Sequence, residues 1–265
     1  MKKIILFPLI VLVLISFKKG GKKEFQWKNG AKAAICLTYD DGMQTHVQNA
    51  IPQLDNVGMK GTFFINAPTG SSSVIGWKKA ARNGHELGNH SLFHPCPRAI
   101  GWDEEIATEN YNIPQMLKEI KTVNMILENL DPNRKTFAYA YPCNHTEVGG
   151  KSYIDDLRKS KLVSYARGGS GEKKIITPDF KDLNKMQVHS WAVPEDTELQ
   201  ELIDYAEKAK EKGGLAIFQF HGIGGQWLQI SNETHQGLLK YLSENKTDYW
   251  IASFSEVVAY IEKNK

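Results

Sequence analysis

The sequence is poor in cysteine. Cys36, Cys96 and Cys143 are the only three in 265 residues, too few for a fold held mainly by disulfides and too scattered for a zinc-finger cluster. It has no large excess of either charge. Lys and Arg total 33 against 30 Asp and Glu, and the resulting +3 excludes a protein that binds nucleic acid chiefly by neutralising phosphates. No apolar run is long enough for an ordinary membrane span. The most apolar stretch, Ile4 to Phe17, is interrupted by Pro8 and falls short of the ~20 residues a bilayer needs. Internal repeats and low-complexity linkers are absent. What remains is 41% hydrophobic and 24% charged, which excludes a disordered chain or a fibre and suits a globular domain. The length is within reach of a single α/β barrel.

The N-terminus reads as an address. Lys2 and Lys3 precede the apolar run and Lys18-Lys19-Gly20-Gly21-Lys22-Lys23 follows it, the pattern of a secretory signal. No Ala-x-Ala pattern follows, and Lys18 stands where cleavage wants small residues. An uncleaved anchor attaching the chain to a membrane is therefore the alternative, and a buried N-terminal helix the bland one. Residues 1–23 are assigned to a signal peptide or signal anchor with a basic stem, and 24–265 to the functional domain. The protein is expected to be exported: periplasmic, extracellular or membrane-anchored.

From about residue 30, short apolar runs alternate with amphipathic segments. Ala33–Tyr39, Gly61–Ile65, Thr136–Tyr141, Leu162–Ala166, Leu215–Phe220 and Tyr249–Ser253 read as strands covered on both faces. Thr45–Asn56, Ile113–Leu130, Tyr153–Ser160, Leu199–Lys212, Glu233–Ser243 and Ser255–Lys263 read as helices, with Pro114 in a first turn and Gly213-Gly214 as a stop. The alternation predicts a parallel sheet, open or closed as a barrel. Pro95–Asn112 is long for a strand-to-helix loop and reads as an insertion over the site.

Candidate chemistry falls at the carboxyl ends of these strands, where such folds keep their sites. The first strand ends in Asp40-Asp41-Gly42. Two adjacent carboxylates are costly unless a cation neutralises one; the bland reading is a turn and helix cap. His85, His90 and His94 then crowd ten residues, and one helical turn would put His90 and His94 on one face. Two His and one Asp form a metal set with positions left open for water and substrate. His221 closes the apolar run Ala216–Phe220 and is followed by Gly222, so it belongs at the same mouth.

These residues resemble the polysaccharide deacetylase family, the carbohydrate esterase group with a NodB-type domain, over about residues 32–262. Thr38-Tyr39-Asp40-Asp41-Gly42 is similar to the family's first motif, His90-Ser91-Leu92-Phe93-His94 to its H-[ST]-x-x-H motif, Phe137–Asn144 to its third and Ile217–His221 to its last. The resemblance implies a deformed, seven-stranded (β/α) barrel and a metal-dependent hydrolase that removes acetyl groups from an acetylated polysaccharide or oligosaccharide. Asp41, His90 and His94 would hold a divalent ion, zinc first, with cobalt or nickel as alternatives. Asp40 would be the general base and His221 the general acid. Tyr141, Pro142 and Cys143 would line the substrate site, with the Cys143 N–H on the oxyanion. Trp191 and Gln219 would line the acetyl pocket.

The departures from the family pattern concern charge. An arginine is usual near Ala140 and an aspartate at Ser190; both are missing, as the two members of one charge pair would have to be. Asn144 replaces a glycine, and Gln219 stands where leucine is common. Cys96 and Cys143 are expected to be free, packed thiols, with a disulfide between them as the alternative. Trp227 and Trp102 are candidates to stack on sugar rings, His189 and His235 read as structural or solvated, and His145 is left undecided. N-deacetylation of an N-acetylglucosamine polymer leads over O-deacetylation of xylan. The competing functions are a catalytically silent carbohydrate-binding domain and, distantly, a two-His-one-carboxylate iron oxygenase, whose motif order differs.

Overall fold

The computed structural model describes residues 25–67, 71–100, 103–169 and 173–265. Residues 1–23 and Trp102 lie outside them. Seven strands close a parallel barrel: β1 (Ala33–Tyr39), β2 (Thr62–Ile65), β3 (Glu86–Asn89), β4 (Ala138–Ala140), then, after a short antiparallel hairpin of β5 (Glu147–Val148) and β6 (Lys151–Ser152), β7 (Tyr165–Gly169), β8 (Val188–Ala192) and β9 (Leu215–Phe220). β9 pairs back onto β1 from Ala34↔Leu215 to Tyr39↔Phe220, which closes the ring. An eighth strand, β10 (Tyr249–Ile251), pairs only with the first half of β1, at Ala33–Ile35, while β2 pairs with its last two residues. The barrel is thus the deformed (β/α) barrel expected.

The pleat explains the two sides of each strand. Ala33, Ile35, Leu37 and Tyr39 pack outward with the helices α1 (Ile51–Asn56), α2 (Ser71–Arg82), α5 (Leu199–Lys212) and α6 (Asn232–Glu244). Ala34 and Cys36 face inward with Phe64, Ala138, Ala140, Val188 and Ile217. Helices α3 (Ile113–Leu130) and α4 (Ile154–Ser160) cover β4 and β7. Helix α7 (Phe254–Asn264) plugs the amino-terminal end, where the Phe254 N–H donates to Thr62 Oγ1 (2.8 Å) and the Ser255 N–H to Glu86 Oε2 (3.0 Å). Asn112, Ser231 and Ser253 cap α3, α6 and α7 by accepting from the N–H three residues on, each worth about 1 kcal/mol.

Besides the β5–β6 hairpin, three elements escape the sequence pattern. β3 reads Glu-Leu-Gly-Asn, without a β-branched residue, and is held by its neighbours: Gly88 lies so close to Phe64 that a Cβ there would meet the ring at 2.5 Å. β8 mixes exposed His189 with buried Val188 and Trp191, and α2 is rich in serine at its start. The strand expected to end at Ala166 runs on to Gly169. The Pro95–Asn112 insertion folds as short 3₁₀ turns, tied by Arg98 to Glu104 and Glu109. No helix among the described residues is long and apolar enough to cross a membrane.

Candidate active site

β1 ends at the carboxyl mouth of the barrel. The Asp40 N–H still donates to the Phe220 carbonyl (2.9 Å), and then Asp41 (φ 75°) and Gly42 (φ 61°) turn the chain sharply. Aspartate is one of the few side chains that tolerate this left-handed conformation. At Gly42 a Cβ would also press within 3.1 Å of Ile65. The bend brings both carboxylates to one place: His90 Nε2 lies 3.8 Å from Asp40 Oδ2 and 3.4 Å from Asp41 Oδ1.

The two motif histidines converge, but not through a helical turn. Residues 90–94 form a loop in which Ser91 (φ 61°) and His94 (φ 54°) are left-handed. A helix would satisfy its own N–H groups; here buried acceptors do so. Asn89 Oδ1 takes the Ser91 N–H (2.8 Å), and Glu119 on α3 takes those of Leu92 (3.2 Å) and Phe93 (3.1 Å). Ser91 Oγ takes the His94 N–H (3.1 Å).

Three donor atoms meet as a result. His90 Nε2 and His94 Nε2 are 3.2 Å apart, and each is 3.4 Å from Asp41 Oδ1. Ligands on metal bonds of about 2.0–2.1 Å in tetrahedral geometry stand about 3.3 Å apart, so the triangle fits one face of such a site. The ring orientations fit too. His90 Nδ1–H donates to the Ala140 carbonyl (2.9 Å) and His94 Nδ1 faces Cys96 Sγ (3.5 Å), so both Nε2 atoms are turned to the place of a cation, which would displace the proton that His90 Nε2 otherwise shares with Asp41. Burial works against the Asp41 charge, but the hydrogen bond from His90 and the charges of His90, His94 and His221 outweigh it and hold Asp41 well below the usual carboxylate range. Burial and then the His90 charge push His94 down to about 4.

Asp40 is not left without a charge partner. Arg167 on β7, fully buried, donates from Nη2 to Asp40 Oδ2 (2.5 Å) and from Nη1 to Ser190 Oγ (2.9 Å). Ser190 Oγ donates to Gln219 Oε1 (3.0 Å), and Gln219 Nε2 donates back to Asp40 Oδ2 (3.0 Å). The four side chains close a hydrogen-bonded ring on one carboxylate oxygen, while Asp40 Oδ1 has no partner among the described residues. Arg167 is the register partner of Ala140. The arginine expected near Ala140 has moved one strand over at the same level, so the charge pair thought missing is half present, with serine replacing its acid.

The structure corrects several expected contacts. Tyr141 and Trp191 each follow an inward residue, Ala140 and Ser190, so the pleat sends their rings outward. Tyr141 packs with Tyr139 and Tyr153 and donates its hydroxyl to the Met186 carbonyl (2.8 Å). Trp191 is 1% exposed against Tyr205 and Phe218 under α5, and is a core residue rather than a pocket wall. Gln219 belongs to the Asp40 ring. Cys96 and Cys143 are joined in a disulfide rather than free, with Cα atoms 5.7 Å apart; the bridge ties the His94 loop to the turn at Pro142-Cys143-Asn144. Cys36 is a free, buried thiol. His235 is structural, between Tyr39 Oη (2.7 Å) and Gln53 Oε1 (2.6 Å). His221 stands close enough that its charge acts on Asp41 and His94. Arg167, Glu119 and His46 were not singled out as site residues by sequence. The signal for Arg167 was a charge inside an apolar run, one residue past the expected strand end.

No curated protein matches the chain in sequence. Similar solved structures share the fold at low identity. A protein of Mycobacterium smegmatis described as a polysaccharide deacetylase is 15% identical with a TM-score of 0.63, over 90% of this chain and 93% of that one. Peptidoglycan deacetylase PdaC of Bacillus subtilis, as its D285S mutant, is 18% identical with a TM-score of 0.56, over 89% and 95%. The Xyl-CE4 domain of a multidomain xylanase from the hindgut metagenome of Trinervitermes trinervoides is 18% identical with a TM-score of 0.53, over 87% and 90%. Residues 28–150 match the family model described as polysaccharide deacetylase, and that stretch holds Asp40, Asp41, His90 and His94. In these residues and in this barrel the chain is similar to the polysaccharide deacetylases.

Proposed function

We propose that the protein is a metal-dependent hydrolase that removes acetyl groups from a carbohydrate polymer, with N-acetylglucosamine polymers as the leading substrate. The observation that carries this reading is the Asp41/His90/His94 triangle set beside Asp40. Two imidazole nitrogens and one carboxylate oxygen suit zinc first, and cobalt or nickel next. An ion held by Asp41, His90 and His94 would polarise the acetyl carbonyl and lower the pKa of a water.

The protein's own groups do the rest. Arg167 and Gln219 occupy Oδ2 of Asp40 and fix the rotation of its carboxylate, so Oδ1 is the atom that takes the proton from the attacking water. The Cys143 N–H supports the oxyanion, in a turn that the disulfide to Cys96 holds against the His94 loop. His221 gives its proton to the departing nitrogen as the C–N bond breaks, leaving acetate and a free amine. Trp227, 63% exposed on the loop after His221, offers a face for a sugar ring. Export, with residues 1–23 as signal or anchor, would bring the enzyme to such polymers.

The test is acetate release by the full chain with added zinc, cobalt or nickel, run in parallel on chitin oligomers, peptidoglycan fragments and acetylated xylan. Metal-dependent release from the first two is expected. Release from xylan alone would move the reading to an O-acetyl esterase. Tight metal binding with no release from any of them would overturn the enzyme in favour of a binding domain.

A further inference from the structure

His46 is a buried titratable group for which the chemistry above has no use. It is fully buried, in a wide π-helical turn, His46–Ala50, between the Asp40-Asp41-Gly42 bend and α1. Such turns are rare and concentrate at functional sites. Its ring is wedged among Tyr39, Phe63 and Trp77, with centroids 5.6, 5.7 and 6.4 Å away. Its Nε2 lies 2.7 Å from the backbone carbonyl oxygen of His221. Burial pushes the imidazole down to about 4, so the ring is neutral at neutral pH, and a carbonyl partner requires the proton on Nε2.

The place of that hydrogen bond matters. The ladder between β1 and β9 ends where the Asp40 N–H meets the Phe220 carbonyl. The next carbonyl along β9 is that of His221, and His46 takes it. The same turn grips the following residues: Asn49 Nδ2 donates to the Ile223 carbonyl (2.7 Å), and Gln226 Oε1 accepts the Thr45 N–H (2.8 Å). Gly222 sits so tightly in this loop that a Cβ would meet the Gly225 carbonyl at 2.1 Å. The segment bearing His221 is therefore held in place by the segment that follows the two aspartates.

We propose that His46 is a positioning residue for proton delivery: by holding the His221 carbonyl where β9 leaves the sheet, it fixes the backbone from which the His221 imidazole is aimed at the leaving group. The inference rests on the reading of His221 as general acid. His46 shares the connection after β1 with Asp41 but turns its Nε2 to the His221 carbonyl, away from any role as a metal ligand.

The leaving group separates this role from a general structural one. An amide nitrogen needs a proton to depart; 4-nitrophenolate does not. In the full chain with zinc, His46→Phe should lower kcat on chitin oligomers about 100-fold, the usual cost of displacing a catalytic group by about 1 Å. Hydrolysis of 4-nitrophenyl acetate should fall by no more than about threefold, and zinc affinity should hold. His46→Gln, whose amide N–H reaches the same carbonyl, should recover most of the loss; His46→Met replaces His46→Phe if the ring does not fold in. Equal losses on both substrates, or full activity on chitin oligomers, would overturn the proposal. A wild-type chain that cleaves neither substrate would instead overturn the assignment of the site.

Discussion

Two carboxylates lie inside the barrel, one at each end, and both are shielded from solvent. Glu86, at the amino-terminal end, has both oxygens committed: Oε2 accepts from Thr62 Oγ1 (2.9 Å) and the Ser255 N–H (3.0 Å), and Oε1 from Arg134 (3.2 Å). Asp40, at the carboxyl end, has two donors on Oδ2 and none among the described residues on Oδ1. The first arrangement ties a plugging helix to the strands beneath it. The second keeps one lone-pair set free beside three convergent atoms that could hold a metal ion. A buried acceptor without a partner costs stability, so its persistence at one end only marks that end as the functional one.

The comparison can be broken from either side. His90→Ala should have the largest effect. Removing one corner of the triangle should weaken zinc binding by more than the 10- to 100-fold typical of losing an outer-shell partner, and abolish turnover, as read by metal titration and acetate release. Arg167→Met strands the Asp40 carboxylate in the interior and should cost about 3–5 kcal/mol of unfolding free energy, measured by denaturant titration. Adding Ala140→Arg to that variant, which returns an arginine to the neighbouring strand at the same level, should recover part of the loss.

Acid should weaken both ends, because buried neutral histidines sit near each: His85 beside the start of β3, and His46 and His235 near the carboxyl end. Burial pushes His46 to about 4 and His235 to about 3, below the ordinary imidazole value of ~6.5. Between those values the unfolded chain binds protons that the folded chain does not. Their contribution is complete above pH ~6.5 and is lost as pH falls towards 4 and 3, by about 1.4 kcal/mol per pH unit for each histidine. The Tm of the wild type should fall accordingly below pH 6.5, and His235→Gln should flatten that slope. Glu86→Gln should have the smallest effect: about 1–3 kcal/mol of stability, with kcat unchanged in the folded protein.

The parts of this molecule that were legible in the sequence are local. Asp40-Asp41-Gly42, the His90/His94 pair and His221 each announce themselves within a few residues, and the long apolar strands β1 and β9 fall at their expected bounds. What was not legible depends on register between distant strands. Arg167 meets Asp40 only because β7 pairs with β4 at Ala140↔Arg167. The rings of Tyr141 and Trp191 point away from the mouth because their neighbours Ala140 and Ser190 face inward, a fact set by the barrel and not by the motif. The His90–His94 spacing suggested a helical turn, yet the loop takes its shape from Glu119, on a helix that begins some twenty residues later in the chain. The Cys96–Cys143 bridge likewise needed the two loops to be brought together before the pairing could be read.

The most direct test of the account is Asp40→Asn in the full chain, with zinc content and acetate release from chitin oligomers measured on one preparation. The expected result is zinc bound as in the wild type and turnover lower by about 10²- to 10⁴-fold, the contribution of a general base. Wild-type turnover in that variant would contradict the assignment of the free Asp40 oxygen as the base.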